Sequence, residues 1–547
     1  MNATALPLLA SRDLAQPLAW REGEPISAAQ FLAEAAALAE QLPACGQAVN
    51  LCQDRYHFAL GLAAAALRGH VSLLPPNAMV ATLQQLPAGY GAAYAMVDDD
   101  ESVDLPRVDL RVRPVVSSAS STVPTIDAER IAVCLLTSGS TGAPLPHAKS
   151  WRALTVNIGS EAQRLAEMTA RTSLQGLNIV ATVPAQHSYG FESSVMLSLL
   201  GGAAFDAGRP FYPADVAQAL HNVPRPRALV TTPFHLKTLL LSGVELPPVD
   251  LLLCATAPLT PQLAALAEQK MGGPLIEIYG CTEAGQLASR RTTQGQTWTT
   301  LGDVRITQSA DETFIAHGGH VFEPTPLADI LTLHSEREFG LLGRANDLIH
   351  VAGKRSSLAH LNFHLNRIDG VDDGAFWLPD EVPGTVVRPV AFVVAPTLTA
   401  AQITQALRAH LEPAFVPRRV VHVDTLPRET TGKLTLHALR AFALKTLADN
   451  TTPTTLHVPH DHPSFAGHFP GQPVLPGVVL LSMVMEALQS RLGTPAQIDQ
   501  AKFLAPVLPG DTLALRVTAQ RNSLQFELTR GDITVARGQL SPLRSAT

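Results

Sequence analysis

Between about residues 15 and 340, short apolar runs alternate with Ala/Leu-rich stretches of helical character. The runs are IAVCLLT, NIVATVP, RALVTTP, VDLLLCAT and PLIEIYG, and TPQLAALAEQKM is typical of the stretches between them. That alternation is the pattern of parallel strands joined by crossover helices, an α/β fold. Several runs end directly in Gly/Ser/Thr or His/Tyr/Gly clusters, and open α/β sheets bind ligands beyond the carboxyl ends of their strands. A chain of 547 residues exceeds what one core supports, because single cores stop growing at roughly 250–300 residues. A second region follows GLLGRANDLIHVAGKRSS and runs to about residue 448, with a strand run RPVAFVVAP and a helical stretch AAQITQALRAHL. It has the size of a small α+β subdomain. Thr, Pro and Asn then crowd ALKTLADNTTPTTLHVPHD, which marks a linker, before an apolar helix PGVVLLSMVMEALQSRL and further alternating strands. The expected α/β multi-domain chain has a large domain at 1–343, a mobile α+β subdomain at 344–448, a linker at 449–456 and a last α+β domain at 457–547.

Composition narrows the function classes. With 46% hydrophobic and 16% charged residues the chain is a packed globular protein, not a solvated disordered one. Net charge is −7 and no long Lys/Arg run occurs, so the footprint of a nucleic-acid binder is missing. Five cysteines, at 45, 52, 134, 254 and 281, form no CxxC pair or metal spacing, which fits a reducing cytosol. The start MNATALPLLASRDL lacks the basic residue that precedes the apolar run of a secretory signal. FALGLAAAALRG is interrupted well short of the roughly 20 residues of a membrane span, so a cytoplasmic protein without a span is expected.

The most informative local signal is LLTSGSTGAPLPHAKS. A strand ending in Thr137, Ser138, Gly139, Ser140, Thr141 and Gly142 makes a loop whose amides and hydroxyls can wrap phosphate oxygens, glycine permitting close approach. The alternative for such a cluster alone is a polar surface turn. The loop resembles the phosphate-binding loop of the superfamily of acyl-CoA synthetases, peptide-synthetase adenylation domains and luciferases, and further family motifs follow in order. PAQHSYG resembles the segment at the acid pocket, with His187 at the matching position. IEIYGCTEAG resembles the Tyr-Gly-x-Thr-Glu motif. By that resemblance Tyr279 and Gly280 lie at the adenine, Thr282 touches phosphate and Glu283 holds Mg²⁺, a hard cation that favours carboxylate oxygen. CATAPL resembles the adenine-side segment, with Ala257 and Pro258 matching and Ala255 and Thr256 where the family has glycines.

Asp329 in PLADI and Arg344 in LLGRANDLI stand fifteen residues apart, as do the family's ribose-binding Asp and the Arg at the start of its hinge; the hinge position falls on Asn346. LPRETTGKL resembles the C-terminal segment whose lysine catalyses adenylation. Lys433 is that residue, an electrostatic stabiliser of the transition state. The chain departs from the family at residue 145, a Leu where a phosphate-loop Lys is usual, and Lys149 is the candidate replacement cation.

HPSFAGHFPGQPVLPGVVLLSMVMEAL and AKFLAPVLPGDTL resemble the hotdog-fold 3-hydroxyacyl carrier-protein dehydratases. There a loop His, matched by His468, takes the α-proton, and an acid fourteen residues later serves the leaving hydroxyl; Ser482 occupies that place. Glu486 lies one helical turn further on. Loss of a general acid, typically worth 10²–10⁴-fold, points to a domain kept for dimerisation or carrier docking rather than dehydration.

The resemblance implies a ligase that uses ATP and Mg²⁺ to turn a carboxylic acid into an acyl-adenylate and then load it on a thiol, a small subdomain rotating between steps. The thiol is CoA or the phosphopantetheine arm of an acyl carrier protein, and the fused domain favours the carrier. The wording PxPHxKSW resembles ligases of aryl polyene pigment clusters, which implies an aryl acid such as a hydroxybenzoate. A homodimer through the last domain is expected, and a bifunctional ligase–dehydratase is the alternative.

Overall fold

The computed structural model describes residues 5–542 apart from 45, 76–91, 101–102, 113, 115, 117–118, 139–143, 345–347, 352–353, 380–387, 430–431, 433, 450–453, 467–471, 493–495 and 521–522. For residues 138, 144, 344, 348, 350, 355, 448–449, 466, 488–492, 496–497, 518–520, 523–524 and 540–542 it describes the backbone alone. The chain divides into two compact units: Met1–Leu398 with Ala406–Leu434, and Thr399–Gln405 with Thr435–Thr547.

In the first unit β1 (Pro17–Arg21) and β2 (Glu24–Ser27) form a hairpin that leads into α1 (Ala28–Gln41). Ser27 Oγ accepts the Gln30 amide at 3.1 Å and so starts that helix. β3 (Gln47–Asn50), α2 (Arg55–Arg68), β4 (Val71–Leu74), β5 (Ala93–Val97), β6 (Arg107–Asp109), β7 (Ile131–Ser138) and β8 (Pro144–Ser150) follow. Their strands make a six-stranded sheet in the order β8-β7-β4-β3-β5-β6, parallel except for the β7–β8 hairpin.

Next come α3 (Trp151–Met168), β9 (Asn178–Ala181), a π-helix (Phe191–Met196), β10 (Ala204–Asp206), α4 (Pro213–Asn222), β11 (Arg227–Thr231), α5 (Pro233–Leu241), β12 (Leu251–Cys254), α6 (Pro261–Met271), β13 (Leu275–Cys281), β14 (Gly285–Arg290), β15 (Trp298–Thr300), β16 (Asp329–Leu333) and β17 (Glu338–Arg344). An eleven-stranded sheet results, ordered β16-β17-β15-β14-β13-β12-β11-β9-β10-β1-β2. Its six central strands, β1-β10-β9-β11-β12-β13, are parallel, and antiparallel hairpins finish both ends. Every residue of β9, β11 and β12 is buried, which is why these strands read as unbroken apolar runs. The five runs picked from sequence are β7, β9, β11, β12 and β13, so the α/β expectation holds. β1 finds its neighbour late in the chain, Ala19 opposite Phe205, and Arg12 donates to the Ser198 carbonyl 186 residues on.

The remainder of this unit includes α7 (Leu358–Asn366), β18 (Asp373–Trp377), β19 (Val390–Val394), the end of α8 (Ala400–Arg408), whose first six residues belong to the second unit, and β20 (Arg419–His422). β18, β19 and β20 form a three-stranded sheet.

The second unit contains α9 (Leu436–Asp449), β21 (Thr454–His457), α10 (Gly477–Leu492), β22 (Ala496–Phe503), β23 (Thr512–Gln520), β24 (Ser523–Arg530) and β25 (Ile533–Pro542). The five strands pair antiparallel in the order β21-β23-β24-β25-β22. Leu480 and Val484 of α10 pack with Leu513, Leu515, Phe526, Leu528 and Val535 of the sheet. A long helix packed on one antiparallel sheet is a hotdog-like domain, as the sequence suggests.

Candidate active site

The site lies where the parallel strands end. β7 runs into the expected phosphate loop and β8 returns antiparallel, with Ser138 opposite Pro144 and Val133 opposite Lys149. Gly139, Ser140, Thr141 and Gly142 at the tip lie outside the described residues, as does the Ser138 side chain. At the base, Thr137 Oγ1 meets His147 Nε2 at 3.0 Å, and burial lowers the His147 pKa. Leu145 is exposed, whereas Lys149 is only 8% exposed and donates from Nζ to the Glu283 carbonyl at 2.7 Å. Lys149 therefore reaches the Tyr-Gly-Cys-Thr-Glu turn from inside the protein.

β13 carries that motif to the surface. Tyr279 is buried against Trp298 and Phe339, and its hydroxyl donates to Asp329 Oδ2 at 2.8 Å. Asp329 opens β16 and faces Arg344, the last residue of β17, across the antiparallel ladder. The fifteen-residue spacing thus becomes a cross-strand pair, although the Arg344 side chain and Asn346 lie outside the described residues. Gly280 and Glu283 are exposed and Thr282 is half-buried. One exposed carboxylate beside a hydroxyl fits Mg²⁺, which is usually held by one or two carboxylates together with substrate phosphates and water. Beyond β12, Ala257 is half-buried and Pro258 exposed, and Thr256 has φ 80°, the left-handed backbone that glycine adopts without strain.

His187 caps a short helix, Ser188–Gly190, its Nδ1 accepting the Tyr189 amide at 3.3 Å. Gly190 has no alternative there, because a Cβ would sit 2.0 Å from the Pro184 carbonyl oxygen. At the neighbouring strand ends Thr182 Oγ1 bonds Thr231 Oγ1 at 2.9 Å and His235 Nδ1 at 3.2 Å, and Phe211 packs edge-on against His235. Sequence reading did not single out these last residues.

Lys433 lies outside the described residues, but Arg428 and Gly432 just before it are anchored. Arg428 grips Asp373 through two 2.7 Å bonds and donates to the Gly432 carbonyl at 3.0 Å. Its guanidinium lies 5.7 Å from the centre of the Phe234 ring on α5. Gly432, at φ 80°, is so close to Phe234 that a Cβ would approach it to 2.8 Å. Lys237, also on α5, donates to the Val371 carbonyl at 2.8 Å. Arg428 and Gly432 are thereby held against the helix that leaves β11.

In the second unit Ser482 is exposed on α10 and donates back to the Val478 carbonyl at 3.0 Å, and Glu486 is also exposed. His468 lies outside the described residues.

The parallel sheet, the Thr-Glu turn and the Tyr279–Asp329 pair at its edge are the frame of an adenylate-forming ligase, and the family matches show that class. Family models place it further: AMP-binding enzyme matches residues 22–309, over half of the chain, and AMP-binding enzyme C-terminal domain matches 365–433. A 4-coumarate–CoA ligase of Rhodobacter capsulatus is 30% identical over 301 residues, covering 54% of this chain and 73% of the relative. A 4-coumarate–CoA ligase of Halorhodospira halophila is 29% identical over 314 residues with the same coverage. ATP-bound MatB from Rhodopseudomonas palustris shares the fold at a TM-score of 0.66 and 19% identity, over 79% of this chain and 96% of its own. The chain belongs to the AMP-binding enzyme family and is an AMP-forming acid–thiol ligase.

Residues 445–539 match the ApeI dehydratase family. The dehydratase FabZ of Klebsiella pneumoniae, acting on 3-hydroxyacyl-[acyl-carrier-protein] by its name, is 37% identical over 90 residues, 14% of this chain and 55% of the relative. The chain spans about half the length of such dehydratases. A dehydratase-type hotdog domain is thus fused to the ligase. Among the described residues no helix is long and apolar enough to cross a membrane.

Proposed function

We propose that the protein activates an aryl carboxylic acid of hydroxybenzoate type with ATP and transfers the acyl group to the phosphopantetheine thiol of an acyl carrier protein. The observation that carries the acceptor is the fusion itself: a domain of the carrier-protein dehydratase type shares a chain with the ligase. The aryl acid is supported by relatives named for 4-coumarate and by the PxPHxKSW wording of the phosphate loop.

In the first step a carboxylate oxygen attacks the α-phosphorus of ATP and pyrophosphate leaves, giving the acyl-adenylate. The thiol then attacks the acyl carbon, loses its proton and displaces AMP. The phosphate loop and Thr282 bind the phosphates, Tyr279, Ala257 and Pro258 line the adenine side, and Asp329 accepts from the ribose. Lys433 stabilises charge on the α-phosphate and carboxylate oxygens, and His187 lies at the acid. Mg²⁺, held by Glu283, neutralises phosphate charge when bound. Arg344 and Asn346 are the hinge on which 344–448 turns between the steps, a motion of the lid-closure class. The hotdog domain, 457–547 beyond a linker at 449–456, dimerises the protein and docks the carrier, and the location is the cytoplasm.

Pyrophosphate exchange across a panel of acids, followed by loading of CoA or carrier protein, tests the reading. Exchange with hydroxybenzoates and loading of the carrier are expected. Efficient loading of CoA alone would refute the acceptor. A bifunctional ligase–dehydratase is the second reading, favoured by the dehydratase family match at 445–539. Enoyl product from a 3-hydroxyacyl carrier protein, abolished by His468→Ala, would establish it.

A further inference from the structure

Directly beneath the Tyr-Gly-Cys-Thr-Glu turn lies a cluster of buried polar side chains that the reaction outlined above does not use. Two of its members hold the turn by successive carbonyls. Lys149 Nζ donates to the Glu283 carbonyl at 2.7 Å, and His320 Nε2 meets the Ala284 carbonyl at 3.0 Å. A carbonyl only accepts, so the His320 proton is on Nε2 and Nδ1 faces inward as an acceptor. Burial lowers the His320 pKa to about 4, which keeps the ring neutral at pH 7. The next residue, Gly285, presses its backbone on the same space. A Cβ there would come 2.8 Å from Asn157 Nδ2 and 3.4 Å from both Glu192 Oε1 and His320 Nε2.

The cluster is extensive and buried. Glu192 sits on the π-helix, a rare geometry found mostly at functional sites, and Asn157 and Glu161 come from α3. Gln286 donates to Ser193 Oγ at 2.7 Å, and Ser193 in turn donates to Glu161 at 2.9 Å. Five buried atoms here have no protein partner: Asn157 Oδ1, Glu161 Oε2, Glu192 Oε1, Gln286 Oε1 and His320 Nδ1. Buried polar atoms are nearly always satisfied, and a group of them around one space is characteristic of internal water. Lys149 brings a buried cation whose strongest opposite charge is Glu192. Nothing here resembles a solvated surface lysine reaching for a phosphate.

We propose that Lys149 is a positioning residue for Glu283: backed by Glu192 and His320 in this buried polar cluster, it fixes the turn's carbonyls so that the Glu283 carboxylate is presented to Mg²⁺ in one orientation. The inference rests on the reading of Glu283 as the metal-binding carboxylate. It assigns Lys149 a role behind the turn in place of direct contact with pyrophosphate.

The test is the Mg²⁺ dependence of pyrophosphate exchange in the full-length protein. Lys149→Met is expected to raise the Mg²⁺ concentration for half-maximal rate by about 10–100-fold, the usual cost of losing a group that orients a metal ligand. The KM for the acid stays unchanged, a split that general loosening of the fold would not produce. Glu283→Gln raises the Mg²⁺ requirement as well, and the double variant is no worse than Glu283→Gln alone, because Lys149 acts through Glu283. Where Lys149→Met fails to fold, Glu192→Gln replaces it with the same expectations. Additive effects in the double variant, or a weakened pyrophosphate affinity with an unchanged Mg²⁺ requirement, overturn the inference alone. An unchanged Mg²⁺ requirement in Glu283→Gln overturns the metal reading, and this inference with it.

Discussion

Thr256 keeps a left-handed backbone, φ 80°, at a position where the family carries glycine. A β-branched residue there is strained by roughly 1–2 kcal/mol. Thr256→Gly is therefore expected to raise the unfolding free energy by about 1 kcal/mol while pyrophosphate exchange persists; a lower Tm would show that the threonine side chain makes a compensating contact. Glu161 is another residue under stress, since burial raises its carboxyl to about 8. The unfolded chain ionises this group near its ordinary value of 4.5, so the folded state binds more protons throughout the interval between the two. Stability thus falls as pH rises from about 4.5 to 8, by at most ~1.4 kcal/mol per pH unit from this residue. Glu161→Gln keeps an acceptor for Ser193 and cannot titrate, so its Tm should exceed that of the parent at pH 8 and converge with it near pH 4.5. Parallel Tm–pH curves would contradict that account. For Lys433 the expectation is loss of adenylate formation by at least about 10²-fold in Lys433→Ala, with transfer from preformed acyl-adenylate intact. Equal loss of both half-reactions would refute a two-conformation cycle.

At the scale of elements, α5 forms a platform for the lysine loop through Phe234 and Lys237. Phe234→Ala is expected to slow adenylation roughly 10–100-fold by misplacing that loop, and to leave thiol transfer nearly unaffected when acyl-adenylate is supplied. A stopped-flow comparison of the two half-reactions decides the matter. The strands themselves were legible because parallel strands buried on both faces appear as uninterrupted apolar runs, and the fifteen-residue interval from Asp329 to Arg344 is a hairpin whose ends meet. The polar cluster behind Glu283 was not legible. Lys149, Asn157, Glu192 and His320 come from four separate segments, and none has a local pattern distinguishing it from an ordinary helix or strand residue. Lys149 was noticed, but a sequence cannot say that its amine turns inward to a carbonyl. The π-helix was equally hidden, since HSYGFESSVM carries no periodicity that separates π from α.

The whole molecule joins a ligase to a hotdog domain whose α10 leaves Val478 72% exposed and spends the Ser482 hydroxyl on its own backbone. A chain ending at Leu434, where the first compact unit stops, is expected to retain pyrophosphate exchange and lose both dimerisation and efficient carrier loading. Light scattering and carrier-loading assays would show it, and a truncated chain that still dimerises would refute a hotdog-mediated interface. Ser482→Glu in the full chain asks whether an acid at that position restores trace dehydration through His468; no enoyl product would mean that more than the acid has been lost. The first strand of the large sheet has a consequence in time. β1 and β2 are made well before β10 and pair with each other, yet the other edge of β1 stays unpaired until β10 exists, with Ala19 waiting for Phe205. At ribosomal speeds of ~5–20 residues per second the roughly 190-residue wait lasts about 10–40 s. Throughout that interval the nascent hairpin carries an open edge toward every neighbouring chain. Yield of the folded ligase is then a race between elongation and aggregation, won by rapid translation or by shielding of the β1–β2 hairpin.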